Sequence, residues 1–507
     1  MPEFSSNNKR IAKNTLMLYV RMLFNMAVSL YTSRVVLQVL GVSDYGVYSI
    51  VGGVVGMLGF LNATMSGATS RFLTYELGRG DKERLSQTFN AALIVHIGIA
   101  LLMFIVAETL GLWFVYHKLV IPDGRMTAAI WIYQFSILSA MVSITQVPYN
   151  ASIIAHERLD VYAYVEIVHT ILKLLIVYLL WLIAYDKLIV YGTLILIVTL
   201  GIAIYYRVYC LRHFNESRFK FHTQRRMVKD LLSFSGYNLF GNFGSIFNRQ
   251  GTNIVINLFY GVEFNAASGL ATTIADSISS FAHNVITAFR PGITKAYAVE
   301  KYHEQEQLTL MALELSVFMI VLVSIPAILE MNFIIKMWLG VVPDGMEPFA
   351  KLILMANLFE IIKYIFVINV HATGKVKNVS IATGLILAIN PFFIYVTFLL
   401  INNVVFAYIC YCITQVLLAI VVVFITKKQI PQFKISPMLI AIGKILSIAL
   451  VVYAVMCFFL LTMNQSILRL LLSTSLSCFM FSLLTYYFCL DNFQRNQFKT
   501  IVKKMIS

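Results

Sequence analysis

Two apolar stretches between residues 231 and 289 carry polar and ionisable side chains at helical spacing. In the first, Asn238, Asn242, Ser245, Arg249, Asn253 and Asn257 recur every three or four residues, which puts them on one stripe of a helix. In the second, Thr272, Thr273, Asp276, Ser279, Ser280, His283 and Asn284 gather mostly on one side. A charge near mid-bilayer costs at least about 2.5–3.5 kcal/mol, so it normally faces a bundle interior or a wet cavity. The pattern predicts two helices lining a water-filled central cavity. Asn242, Arg249 and Asn253 are candidates to hold a substrate there. Asp276 is the candidate to take up a proton or a cation, with a plain salt bridge to Arg249 as the alternative.

Other apolar stretches carry charges too. Arg21, Asn25, Ser29 and Ser33 share a stripe of the first stretch. Arg21 either faces the cavity or reaches back to the headgroups. Glu166, His169 and Lys173 fall at i, i+3 and i+7 on one face of the fifth, either as an internal network or as substrate- and proton-handling groups. Glu360 and Lys363 in the tenth read as a structural ion pair, and Arg469 near the C-terminus as a side chain reaching the membrane surface. The cations Arg21, Lys173 and Arg249 outnumber the unpaired acids. That balance favours an anionic substrate such as a diphosphate, because guanidinium forks match phosphate oxygens. The six cysteines lie in or beside apolar runs with no CxxC pair, so neither a disulfide framework nor a zinc site follows. No metal or cofactor is expected.

The elements that position these groups are set by composition. Hydrophobic residues make up 59% and charged residues 12% of the 507-residue chain, against about 25% charged in soluble proteins. Apolar runs long enough to cross a hydrocarbon core of about 30 Å recur from end to end. The chain reads as an all-α polytopic membrane protein with about 14 transmembrane helices. The basic start, with no small-residue cleavage site after the first apolar run, predicts an uncleaved anchor. Alternate loops hold 27 and 4 Lys and Arg residues. That asymmetry predicts both termini in the cytoplasm. It also accounts for the net charge of +15 without invoking nucleic acid. The short loops leave no room for a soluble catalytic domain, so an enzyme is not expected.

The chain echoes itself. Leu40-Gly41-Val42 falls on Tyr260-Gly261-Val262, and Val120-Ile121-Pro122-Asp123-Gly124 on Val341-Val342-Pro343-Asp344-Gly345. Asn25, Ser29 and Ser33 fall on Ser245, Arg249 and Asn253. The echo predicts two parallel six-helix repeats, forming two lobes around a central cavity, plus two C-terminal helices. The expected divisions are an N-lobe over 1–210, a basic cytoplasmic linker over 211–230, a C-lobe over 231–425, a helix pair over 438–489 and a basic tail over 490–507. Two lobes with a polar seam are the layout of an alternating-access transporter.

Three segments carry a family resemblance: Leu37-Gln38-Val39-Leu40-Gly41-Val42-Ser43-Asp44-Tyr45-Gly46-Val47-Tyr48, Glu76-Leu77-Gly78-Arg79-Gly80-Asp81-Lys82-Glu83-Arg84-Leu85 and His371-Ala372-Thr373-Gly374-Lys375-Val376-Lys377. They resemble Wzx-type O-antigen or capsule flippases. These belong to the superfamily that also holds the multidrug and toxic-compound extrusion transporters and the lipid II flippase. The resemblance implies an undecaprenyl-diphosphate-linked oligosaccharide, moved from the cytoplasmic to the periplasmic leaflet of the bacterial inner membrane. It also implies a cationic cavity, polysaccharide assembly proteins as partners beside the membrane lipids, and a groove for the lipid tail formed by the last two helices. A coupling cation, H+ or Na+, is expected at Asp276, Glu166 or His169. The alternative is a cation-coupled multidrug antiporter. Drug-extrusion relatives often carry an acid in the first span, and this chain has none between Asn14 and Leu37.

Overall fold

The computed structural model describes residues 2–156, 158–219, 225–461 and 463–489. The side chains of residues 1–22 and 25, and of further helical residues including 60–64 and 232–240, lie outside that description. Among the described residues every regular element is helical. Helix α1 (Pro2–Gly56) bends at Gly41 and so consists of two segments. A 3-10 turn (Met57–Gly59) and α2 (Phe60–Arg79) extend the second. The third combines α3 (Lys82–Val106), a π-helical turn (Ala107–Gly111) and α4 (Leu112–His117). Then come α5 (Met126–Ala155), α6 (Leu159–Leu182), α7 (Lys187–His213), α8 (Arg225–Tyr260), α9 (Val262–Ala298), α10 (Tyr302–Leu329) and α11 (Met331–Leu339). The series closes with α12 (Met346–Ala372), α13 (Lys377–Leu400), α14 (Phe406–Gln429), α15 (Ser436–Leu460) and α16 (Ile467–Phe488). Among the described residues eleven helices are long and apolar enough to cross a membrane. The polar stripes of α8 and α9 keep those two out of that group.

Local chemistry sets the helix ends. The Asp81 carboxylate accepts from the Arg84 amide, and Asp186 from the Leu188 and Ile189 amides. The Ser466 hydroxyl accepts from the Arg469 amide, so α3, α7 and α16 each start on a side-chain cap. The backbone also repeats. Gly41 and Gly261 both have φ of 80°, and Gly124 and Gly345 have 79° and 77°. Gly80, at φ 74°, matches Glu300 at 58°. These pairs lie 220 or 221 residues apart, the offset of the sequence echo.

One core packs Val47, Ile50, Met103, Ile132 and Tyr133 among α1, α3 and α5. A second joins α10 and α12 to α15 and α16 through Ile320, Ile365, Phe366, Val452 and Phe481. Leu182, Leu400, Phe458 and Leu461 are 77–82% exposed. A surface this apolar around the whole bundle suits lipid and not water.

Arg469 departs from expectation. Its Nε–H donates to Glu330 Oε1 at 2.8 Å and its Nη1–H to the Met463 carbonyl at 2.6 Å. Glu330 is fully buried at the end of α10, and a buried carboxylate needs a cation more than Arg469 needs the membrane surface. The ion pair fastens α16 to the C-lobe.

Candidate functional site

The α8 stripe forms the wall between two cavities. One, about 240 Å3, lies inside the C-lobe among α8, α9, α12, α13 and α14. The other, about 530 Å3, lies between the lobes, with α1, α5 and α7 on one side and α8 and α9 on the other. Arg249, Asn253 and Thr272 line both. Helical spacing explains this. Asn248 and Thr252 are buried toward the C-lobe, whereas Arg249, between them in sequence, is exposed to open space.

Hydrogen bonds fix the neutral groups of the C-lobe cavity. Ser268 Oγ–H donates to Asn253 Oδ1 at 2.7 Å and lies 2.6 Å from the Tyr408 hydroxyl. Asn390 Nδ2–H donates to Asn248 Oδ1 at 2.8 Å, and Asn357 Nδ2–H to Ser279 Oγ at 2.7 Å. Lys363 Nζ donates to Gln415 Oε1 at 3.1 Å. The Thr252 hydroxyl is buried and has no partner among the described residues.

The charges are arranged otherwise. Arg249, Asp276, Glu360 and Lys363 all face the C-lobe cavity. Arg249, Glu360 and His283 lie near enough to Asp276 to act on it electrostatically. Among the described residues neither Asp276 nor Glu360 makes a direct ion pair, and Arg249 makes no hydrogen bond. The expected Glu360–Lys363 pair does not form, because the Lys363 ammonium turns to the Gln415 amide on α14. Two acids and two bases make this cavity neutral in sum, whereas Arg249 is the one charged residue lining the interlobe cavity among the described residues.

Glycines shape the interlobe cavity. Gly52, Gly53, Gly56 and Gly59 line it from the second crossing. A Cβ at Gly53 would stand 2.8 Å from Gln250 Oε1, and one at Gly56 3.3 Å from Gln250 Nε2. The glycines therefore make room for one polar side chain.

The lobes meet at the end whose loops are poor in Lys and Arg. The Val120 amide donates to Asn257 Oδ1 at 2.8 Å, and Asn257 Nδ2–H donates back to the Val120 carbonyl at 3.1 Å. Trp338 Nε1–H donates to the Leu30 carbonyl at 2.8 Å. A Cβ at Gly46 would run into the Val262 carbonyl, so the backbones of α1 and α9 touch there. Farther along α9, Ala282, Ile286 and Ile293 pack into the C-lobe core.

Of the sequence candidates, Arg249, Asn253 and Asp276 come together. Asn242 lies on α8 before Ser245 and outside the lining of both cavities. Glu166, His169 and Lys173 interact along α6 but line neither cavity. The side chains of Arg21 and Asn25 lie outside those described. Sequence reasoning missed Gln250, Asn357, Tyr408, Tyr411 and Gln415. Gln250 adjoins Arg249 and Asn357 lies three residues before Glu360, both already singled out. Tyr408, Tyr411 and Gln415 share one face of α14 at i, i+3 and i+7 but carry no charge to mark the stripe.

The fold is similar to that of solved membrane transporters and of a lipid II flippase. A lipid II flippase, MurJ, in an inward closed conformation matches with a TM-score of 0.70 and 13% identity, over 93% of this chain and 99% of that one. An inward-facing multidrug resistance MATE family transporter of the MOP superfamily matches at 0.62 and 14%, over 81% and 94%. A mutant of the Vibrio cholerae MATE transporter VcmN matches at 0.58 and 14%, over 84% and 98%. No family model and no curated protein matches the chain in sequence. The expected all-α polytopic fold is borne out.

Proposed function

We propose that the protein is a Wzx-type flippase that moves an undecaprenyl-diphosphate-linked oligosaccharide from the cytoplasmic to the periplasmic leaflet by alternating access. The observation that carries this reading is Arg249, an unpaired cation on the wall shared by the two cavities. A guanidinium fork matches the oxygens of a diphosphate in a charge-assisted, bidentate contact. The interlobe cavity takes the headgroup. At about 530 Å3 it is the size of a small-molecule site, so a longer oligosaccharide needs the lobes to part. The contacts of Asn257, Trp338 and Gly46 close the periplasmic end, which makes this the cytoplasm-facing half of the cycle.

Asp276 and Glu360 form the coupling site in this reading. They are acids without a direct ion pair among the described residues, and they line the C-lobe cavity with Arg249. A proton or Na+ bound there changes the charge that Arg249 feels, and so its hold on the diphosphate. Differential affinity between the two states is what drives such a cycle. Glu166, His169 and Lys173, on α6, are left as an internal network. The bacterial inner membrane, cytoplasmic termini and polysaccharide assembly partners belong to this same proposal.

The alternative, a cation-coupled multidrug antiporter, is favoured by one observation: the C-lobe cavity is charge-balanced and carries two acids. Liposomes separate the two. A flippase translocates a fluorescent polyprenyl-diphosphate oligosaccharide and does not move ethidium against an ion gradient. The reverse pattern would install the antiporter.

A further inference from the structure

A third cavity shares the α1–α8 seam with the interlobe cavity, on its opposite side. Its volume is about 480 Å3, and among the described residues no charged one lines it. Leu110 and Phe114 form one wall, Phe243, Phe247 and Ile254 of α8 the floor, and Phe392 of α13 the other wall. Leu110 and Phe392 are 68% and 63% exposed at the rim, so the groove opens onto the surrounding hydrocarbon. The hydroxyl of Tyr133 in its lining is tied to the Ala107 carbonyl at 2.6 Å, which leaves that end apolar as well.

Both walls are helix irregularities. The N-lobe wall holds the π-helical turn Ala107–Gly111, and the C-lobe wall holds Pro391. π turns occur mostly as single insertions at functional sites, and a proline breaks the hydrogen-bond ladder of its helix. At the floor, a Cβ on Gly251 would lie 2.8 Å from Pro391 Cγ, so α8 and α13 touch there.

The two cavities are one residue apart. Val54 and Met57 face the groove, while Gly53 and Gly56 beside them face the interlobe cavity. On α8, Gly251 faces the groove and Gln250 the cavity. The Gln250 side chain lies against Gly53 and Gly56 and closes the seam. A molecule with a polar head on one side and a hydrocarbon chain on the other would bridge this seam where Gln250 now sits.

We propose that this groove takes the hydrocarbon chain of the substrate whose headgroup occupies the interlobe cavity, and that Gln250 is the latch between them. The proposal rests on the flippase reading above. It places the chain between the lobes, and not against α15 and α16, whose buried faces pack on α10. A chain held by both lobes feels their relative motion, which one lying in bulk lipid does not.

The test uses the full chain in liposomes with two photoprobes. One is a polyprenyl diphosphate with a benzophenone on its last isoprene units. The other is a phosphatidylcholine with the same group in one acyl chain. The expected result is labelling of residues 110–114 or 243–255 by the polyprenyl probe, reduced about tenfold by unlabelled polyprenyl diphosphate. Labelling of α15 or α16 instead would overturn the proposal. Equal labelling of the groove by the phosphatidylcholine probe, without displacement, would overturn it too. The rim variant Leu110→Trp is expected to weaken the polyprenyl diphosphate about tenfold and leave inorganic pyrophosphate binding unchanged. Equal weakening of both contradicts a chain site. Pyrophosphate binding to wild type with the chain labelled elsewhere removes the groove alone. Absence of pyrophosphate binding removes the flippase reading, and the groove with it.

Discussion

Glu300 holds the left-handed backbone that Gly80 holds 220 residues earlier, with φ of 58° against 74°. Both sit in the turn that follows the second crossing of their lobe, after α2 and after α9. The left-handed region costs a residue with a Cβ about 1–2 kcal/mol relative to glycine. Glu300→Gly is therefore expected to stabilise the protein by up to about 1 kcal/mol, once the added freedom of the unfolded chain is subtracted. Thermal unfolding in detergent checks this. A lower midpoint for the glycine variant would mean that Glu300 makes a compensating contact.

Arg469 faces the opposite test. Truncating it leaves the buried Glu330 carboxylate without its cation, and breaking a buried pair this way costs about 3–5 kcal/mol. Arg469→Ala is expected to lower the unfolding midpoint sharply. Adding Glu330→Gln should recover most of the loss, because an amide needs no counter-charge. Equal destabilisation in the single and double variants would assign the effect to lost packing.

Asn257 clasps the Val120 backbone twice across the lobes. Each such hydrogen bond contributes about 0.5–1.5 kcal/mol. Removing both by Asn257→Ala should shift the balance toward a state parted at this end by about 5- to 150-fold. In a cysteine-free background, a cysteine placed at Ser49 should then react faster with a membrane-impermeant thiol reagent added outside. An unchanged rate would show that Trp338 and Gly46 hold this end without Asn257.

Arg125 clamps Asp44 and Asp186 at 2.6 Å each, near the end of the bundle where the lobes meet. Burial pushes the Asp186 carboxyl up, but the Arg125 hydrogen bonds and the Leu188 and Ile189 amides outweigh it and hold the group below its usual value. A depressed carboxyl adds stability above its unfolded pKa, about 3.9. That contribution falls away as pH drops through the lower folded value. The unfolding midpoint of wild type should thus fall more steeply below about pH 4 than that of Asp186→Asn. Parallel curves would remove Asp186 from the acid response.

The sequence shows the α8 stripe, because Ser245, Arg249 and Asn253 repeat with the helix period and cannot all face lipid. It shows the duplication, because Gly41, Gly261, Gly124 and Gly345 are demanded by left-handed turns. It does not show which side of a helix meets which cavity. Glu166 and Lys173 share a face as cleanly as Arg249 and Asn253 do, yet α6 packs against α1 and α7 and keeps them out of both cavities. Tyr408, Tyr411 and Gln415 share a face of α14 at i, i+3 and i+7, yet an uncharged stripe of two tyrosines and a glutamine does not stand out from an apolar run. Lys363 misleads, because an acid at i−3 suggests a pair that a glutamine on a neighbouring helix displaces.

Translocation across liposomes by Arg249→Ala and Arg249→Lys tests the central claim most directly. In the proposed headgroup site a guanidinium meets a diphosphate, and losing a charge-assisted bond of this kind costs about 1.5–3 kcal/mol. Arg249→Ala is expected to slow flipping of a polyprenyl-diphosphate oligosaccharide by about 10- to 150-fold. Arg249→Lys should retain an intermediate rate, since it keeps the charge and loses the fork. Wild-type rates in Arg249→Ala would contradict the claim that the shared wall of the two cavities is where the headgroup is held.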